Sequence, residues 1–198
     1  MVVAFQQLDW PSTWEGAKDF ARHLTDRLGC PIDEGILETV IALNLLGFPT
    51  AQSCEGHLDR KYPSPWIDFF IEDCPEWYNQ AQAESCREGL SAEEEEAAVD
   101  RLMALVDEYH HKDHLYTRLS ALLDAFYEVR TDSPEDWRII LHCIHPGYYR
   151  MIPDCGYTAD EWPQHERAEN LARAQAEMQA FTVFLKQRFF AQRESFAG

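Results

Sequence analysis

The chain has 198 residues, of which 45% are hydrophobic and 13% aromatic, and this length is enough to bury the core of one domain. The 35 acidic residues outnumber the 17 basic ones and give a net charge of −18, which argues against a nucleic-acid-binding protein, because such proteins neutralise phosphates with basic side chains. No apolar run approaches the ~20 residues of a membrane span, and residues 1–10 lack the features of a secretory signal. We therefore expect a single cytoplasmic domain over residues 1–198 that makes no membrane contact.

The sequence contains six cysteines. In a reducing cytoplasm they are expected to be free thiols rather than three disulfides. They are Cys30, Cys54, Cys74, Cys86, Cys143 and Cys155. Cys54 and Cys143 stand within three residues of a histidine, so both segments are candidates for a site.

Two helices are predicted at the start of the chain. The first is capped by Ser12 or Thr13 and ends at Gly29, and the second is capped by Asp33 and ends at Gly47. Helical spacing in the first helix is carried by Phe20, His23, Leu24 and Leu28.

Two strands are predicted next, separated by a polar loop that contains two prolines. The first covers residues 48–54. The second covers residues 66–71 and is apolar on both faces except at Asp68, which is typical of a buried strand. The loop between them lies where ligands often bind.

The second half of the chain is predicted to hold two long helical stretches, over 91–129 and 161–195. In the first of them the helical spacing of apolar residues weakens at Lys112 and Asp113. Between them, strands over 137–144 and 148–152 are joined by a tight turn. These elements predict an α+β fold in which a mainly antiparallel or mixed sheet of about four strands is covered by helices.

The segment Ser53-Cys54-Glu55-Gly56-His57 places a thiol and an imidazole three residues apart across a glycine. Three kinds of site fit this pattern. One is half of a zinc site, and another is a nucleophilic thiol beside a base. The third is a binding loop in which Gly56 lets the backbone approach a ligand and the polar residues Ser53 and Glu55 contact it. The alternative is a buried cysteine at a strand end, followed by a surface histidine.

A second cluster, His142-Cys143-Ile144-His145, stands at the end of a predicted strand. Alternation along a strand places Cys143 and His145 on one face and His142 on the other. If the turn pairs His145 with Tyr148, Cys143 lies opposite Arg150. A zinc site built from both clusters would use Cys54, His57, Cys143 and His145.

The two clusters and the acidic net charge lead to three functional hypotheses. The first is a small anionic ligand held by Arg60 and Arg150 beside the Ser53–His57 loop. An enzymatic form of this site assigns the nucleophile to Cys54, the base to His57 or His142, and the orienting acid to Asp68. The second is a non-catalytic zinc-binding domain, and the third is an acidic interaction protein that binds a basic protein partner. Three aromatic residues outside the seam of the last helix are interpreted either as a homodimer face or as core residues: Phe184, Phe189 and Phe190.

A third group of ligand-type residues lies inside the first long helical stretch. His110 and His114 are one helical turn apart, and Asp107 and Asp113 offer carboxylates beside them. A shared metal is one interpretation, and a polar helix face or hinge is the other.

Residues 44–57, followed by Pro65-Trp66-Ile67-Asp68, resemble a family of uncharacterised bacterial and phage proteins with a G-[IF]-x-T-x-x-S-C-x-G-H motif. The resemblance covers about residues 33–71 and implies no established activity. A fainter similarity links the same stretch to the wybutosine-synthesis tRNA methyltransferase family, which has T-x-S-S-C-S-G-R there. This chain departs from that pattern at His57, where the family has arginine.

Overall fold

The computed structural model describes residues 8–26 and 29–197. In this part of the chain the α-helices are α1 (Trp14–Arg22), α2 (Glu34–Leu45), α3 (Glu76–Ser85), α4 (Ala92–Lys112), α5 (His114–Val129) and α6 (Arg167–Ala197). The strands are β1 (Gln52–Cys54), β2 (Trp66–Phe70), β3 (Ile139–His145) and β4 (Tyr148–Pro153). Among the described helices, none combines the length and the apolar character that a membrane span requires.

The four strands form one antiparallel sheet in the order β1-β2-β4-β3. The first and second strands pair with each other, the third and fourth form a hairpin, and the two pairs join along β2 and β4. Helices α3, α4 and α5 are inserted between β2 and β3. The predicted α+β class and the antiparallel sheet of four strands are therefore confirmed.

One face of the sheet carries the main core. Alternate residues of the two central strands point to this face, and Phe69, Tyr149 and Met151 are fully buried there. They pack with buried side chains of α2, α5 and α6. The opposite face receives the other set of alternate residues, which includes Asp68 and Arg150. The chemistry-bearing residues of the sheet therefore lie mainly on the face away from the core.

The long helical stretch over 91–129 is two helices that meet at Asp113. The Asp113 side chain accepts hydrogen bonds from the backbone N–H groups that begin α5, and also from the Tyr149 hydroxyl. His110 is buried and stacks on Tyr116 with ring centroids 3.8 Å apart. The predicted interruption is thus a boundary between two helices that is capped by Asp113. The His110 ring is buried, and it does not form a metal-competent group with Asp107 or His114.

Three predicted boundaries were wrong. The first helix ends at Arg22 rather than Gly29, because the chain turns to form an isolated bridge between Thr25 and Pro31. Leu28, which was predicted to belong to the apolar face of the first helix, lies outside the described residues. Residues 1–7, where no secretory signal was predicted, also lie outside them. The first strand begins at Gln52 rather than residue 48, and the last helix begins at Arg167 rather than residue 161.

Candidate metal centre

The end of β1 lies beside the start of α2. Cys54 is the last residue of β1, His57 follows in the next loop, and Asp33 is the residue immediately before α2. One ligand atom from each of these three side chains lies within 4.8 Å of the other two. His57 Nε2 is 3.2 Å from Asp33 Oδ2. Among the described residues, this is the one group of three or more potential ligands that is compact enough to hold a metal ion.

The carboxylate that accepts a hydrogen bond from the first turn of α2 belongs to Glu55 and not to Asp33. Asp33 occupies the capping position of α2, but its side chain makes no capping hydrogen bond to the helix. Its Oδ2 accepts instead from the backbone N–H of Glu55, at 3.1 Å. The Glu55 carboxylate accepts from the backbone N–H of Gly35 in the first turn of α2, at 2.7 Å. Glu55 therefore supplies the negative charge that a helix start favours, and Asp33 is free to face Cys54 and His57.

The loop that carries the thiol and the imidazole depends on Gly56. Gly56 has φ +86°, in the left-handed region, and a Cβ there would lie 2.3 Å from the carbonyl oxygen of Pro63. The backbone N–H of Gly56 donates to Cys54 Sγ at 3.4 Å. The Gln175 side chain on α6 donates to the Glu55 carbonyl at 3.0 Å. These contacts hold the loop against the body of the protein.

Burial is the main reason that the pKa of the Cys54 thiol is raised, and the nearby Asp33 carboxylate raises it further. A raised pKa is the opposite of what the nucleophile hypothesis requires, because a reactive cysteine needs a stabilised thiolate. A metal ion between Asp33 and Cys54 would offset both causes.

A cavity of about 600 Å³ lies beside the three ligand atoms, and Asp33, Cys54 and His57 all line it. Its basic side chains are Arg60, Lys61 and Arg150. Ser53, predicted as a ligand-binding residue, also lines it, whereas the Glu55 carboxylate is turned toward α2. The structure thus brings Arg60 and Arg150 to the same cavity as Cys54, as the sequence predicted.

Asp68 holds Arg150 in place. The Asp68 side chain has no solvent exposure, and it accepts from Arg150 Nε at 2.7 Å and from Nη2 at 2.8 Å. The hydroxyl of Tyr148 donates to the same carboxylate at 2.6 Å. The guanidinium also lies over the Trp66 ring, 4.2 Å from its centroid. Asp68 is therefore neither a water-facing edge acid nor in contact with Cys54 or His57, because it is paired with Arg150 on a central strand.

The second Cys/His cluster does not join the first. The register shifts between Cys143 and His145, so that Cys143 pairs with Tyr149 and His142 pairs with Arg150. This bulge reverses the predicted faces: His142 points to the Arg150 face, and Cys143 packs against the core.

The predicted four-ligand zinc site is also wrong because β1 and β3 are the two edges of the sheet. Neighbouring strands are about 4.8 Å apart, which separates the edges by about 14 Å. For the same reason His142 is not placed to act as a base toward Cys54. Its ring lies against Tyr157, with centroids 4.3 Å apart, and burial lowers its pKa.

Asp33 is the site residue that the sequence analysis missed. Its position before an apolar helix predicted a helix cap, and the sequence analysis did not consider it as a ligand beside Cys54 and His57. The missed signal is a repeated spacing. Cys30 and Asp33 are three residues apart, as are Cys54 and His57.

Comparison with protein-family models, with curated proteins and with solved structures finds no match to this chain. The fold and the site define an α+β protein with a candidate metal centre beside a basic cavity.

Proposed function

We propose that this chain binds one divalent metal ion of the zinc class through Asp33, Cys54 and His57. The observation that supports it best is the distance of at most 4.8 Å between any two of the three ligand atoms. Ligands about 2.0–2.3 Å from a tetrahedral zinc ion are roughly 3.5 Å apart. Small side-chain rotations would therefore be enough to close the site on the ion.

The choice of zinc rests on the chemistry of the donors. Thiolate and imidazole favour zinc and other late transition metals, whereas magnesium and calcium prefer an all-oxygen shell. Three protein ligands leave a fourth position on a tetrahedral ion. Because Asp33, Cys54 and His57 all line the cavity, that position opens toward it. A reducing cytoplasm, as expected from the sequence, would keep Cys54 available as a ligand.

The same proposal assigns a small anion to the cavity. Arg60, Lys61 and Arg150 line it in a protein whose net charge is −18, and Asp68 fixes the direction of Arg150. Since Nε and Nη2 of Arg150 donate to Asp68, its Nη1 group is left for a carboxylate or a phosphate, beside Arg60 and Lys61. In an enzymatic form of the proposal, Asp33, Cys54 and His57 would hold the ion, which would supply Lewis acidity to a bound water, and Arg60 and Arg150 would hold the anion beside it.

The test is metal content after purification without added metal or chelator. We expect about one zinc ion per chain in the wild type and almost none in Cys54→Ser/His57→Ala, because this variant loses both the thiol and the imidazole of the three-ligand group. A chelator should lower the thermal midpoint of the wild type but not that of Cys54→Ser/His57→Ala. The matched control is Cys86→Ser/His165→Ala, which changes the same residue types at exposed positions outside the cavity and should keep the metal.

A wild-type chain that contains no metal, and whose thermal midpoint does not respond to added Zn(II), would contradict the proposal. Equal zinc content in the two double variants would also contradict it, because the ion would then be bound elsewhere.

A further inference from the structure

A fourth thiol or imidazole donor would complete the coordination of the proposed ion, and one more thiol lines its cavity. Cys30 is a free, exposed cysteine that lines the cavity together with Asp33, Cys54 and His57. We propose that Cys30 is the fourth ligand of the metal ion. This inference rests on the proposed function, because it concerns the same ion.

The sequence spacing supports a four-ligand site. Cys30-Pro31-Ile32-Asp33 and Cys54-Glu55-Gly56-His57 are two pairs of donors, each with two residues between them. Residues 34–53 separate the pairs. Zinc sites commonly use two C-x-x-C pairs with about 15–20 residues between them, so this chain has that arrangement with aspartate and histidine in place of two cysteines.

The backbone around Cys30 is anchored on both sides. The N–H of Cys30 donates to Asp26 Oδ1 at 2.9 Å, and the N–H of Asp26 donates to the Cys30 carbonyl at 2.8 Å. Pro31 forms a bridge with Thr25. Asp33, the residue immediately before α2, follows shortly after. The backbone of Cys30 is therefore held in place, and its side chain lines the cavity.

The Cys30 thiol lies outside the group of three whose ligand atoms are within 4.8 Å of one another. Binding therefore requires a rotation of this exposed side chain or a small shift of Cys30 toward the other three ligands. Metal binding supplies the free energy for such closure, because the ligands gain their interactions only when the ion is present.

The basic side chains of the cavity favour a second thiolate. Two thiolates and one carboxylate around a divalent ion leave one negative charge, and Arg60 and Lys61 line the same cavity, together with Asp26 and with Arg150, which is paired with Asp68. With Cys30 bound, the ion has four protein ligands and no position for water. The anion is then held by the basic side chains alone, and the enzymatic form of the proposal would require Cys30 to leave the ion.

Cobalt(II) provides a direct count of the thiolate ligands, because each thiolate bound to Co(II) adds to a charge-transfer absorption in the near ultraviolet. The full chain is titrated with Co(II) as wild type, Cys30→Ser and Cys86→Ser, where Cys86 is an exposed cysteine outside the cavity. We expect Cys30→Ser to show about half the wild-type absorption per bound Co(II) and an affinity at least about tenfold lower, and Cys86→Ser to match the wild type. Circular dichroism checks that the variants remain folded.

Each other outcome has a separate meaning. Wild type and Cys30→Ser that bind Co(II) with the same absorption and affinity would overturn the fourth ligand and leave the three-ligand site intact. A wild-type chain that binds no Co(II) would overturn the metal centre and the fourth ligand together. If Cys30→Ser fails to fold, X-ray absorption of the zinc-loaded wild type decides, since one sulfur neighbour contradicts the inference and two support it.

Discussion

Replacing Arg150 by methionine is expected to lower the free energy of unfolding by about 3–5 kcal/mol, because the substitution leaves a buried carboxylate without its charged partner. Asp68 has no solvent exposure and accepts two hydrogen bonds from the guanidinium, so only the Tyr148 hydroxyl would remain on its side chain. Arg150 itself is 30% exposed, which places the expected value toward the lower end of the range. Urea denaturation of both proteins measures the difference.

Arg118→Met is the matched control. Arg118 also lies over an aromatic ring, that of Phe48, but its hydrogen bonds go to the exposed carbonyl groups of Leu46 and Gly47. Its replacement should cost about 1 kcal/mol or less. Adding Asp68→Asn to the Arg150→Met variant should recover part of the loss, since no buried charge remains. If both single arginine variants lose the same small amount, the buried pair does not have the importance assigned to it.

Replacing Gly56 by alanine is expected to lower the free energy of unfolding by about 2–4 kcal/mol and to abolish metal binding. A left-handed conformation costs a residue with a Cβ about 1–2 kcal/mol. The added Cβ would also lie 2.3 Å from the Pro63 carbonyl oxygen and 2.9 Å from the Pro65 nitrogen, which are backbone atoms that cannot rotate away. The loop would therefore shift, and Cys54 and His57 would separate. Urea denaturation and zinc content measure the two effects.

Gly89→Ala separates the two causes. Gly89 has φ +83°, close to the +86° of Gly56, but a Cβ there would meet no atom within 4 Å. Its replacement should cost only the conformational strain of about 1–2 kcal/mol and should leave the zinc content unchanged. Equal losses of stability and of zinc in the two alanine variants would show that the close approach at Gly56 has no effect.

Local patterns in the sequence predicted most of the fold but not the register of the sheet. The apolar run around Asp68 identified β2 as a buried strand, and the weakened periodicity at Asp113 located the boundary between α4 and α5. The bulge before His145 adds one residue to β3, and this reverses the faces of His142 and Cys143. Such a shift depends on packing against the neighbouring strand, which no periodicity within the segment records.

Only part of the candidate site was predicted, because one of its residues depends on a tertiary contact. Cys54, His57, Arg60 and Arg150 were recognised by residue type, and the structure places all four at one cavity. Asp33 was interpreted as a helix cap because local rules favour that role. Its side chain faces Cys54 and His57 because Glu55, which is distant in sequence, accepts the hydrogen bond from the first turn of α2 in its place. The exchange is a tertiary effect, and sequence spacing offers only an indirect sign of it.

The contact between Gln175 and the Glu55 carbonyl has a consequence for the time at which the site matures. Gln175 is 120 residues further along the chain than Glu55. At a synthesis rate of about 5–20 residues per second, the proposed ligands leave the ribosome roughly 6–24 s before the part of α6 that supports their loop. A nascent chain in this interval has the thiol and imidazole but lacks their full support. We therefore expect tight binding of the proposed metal ion only after residue 175 has left the ribosome.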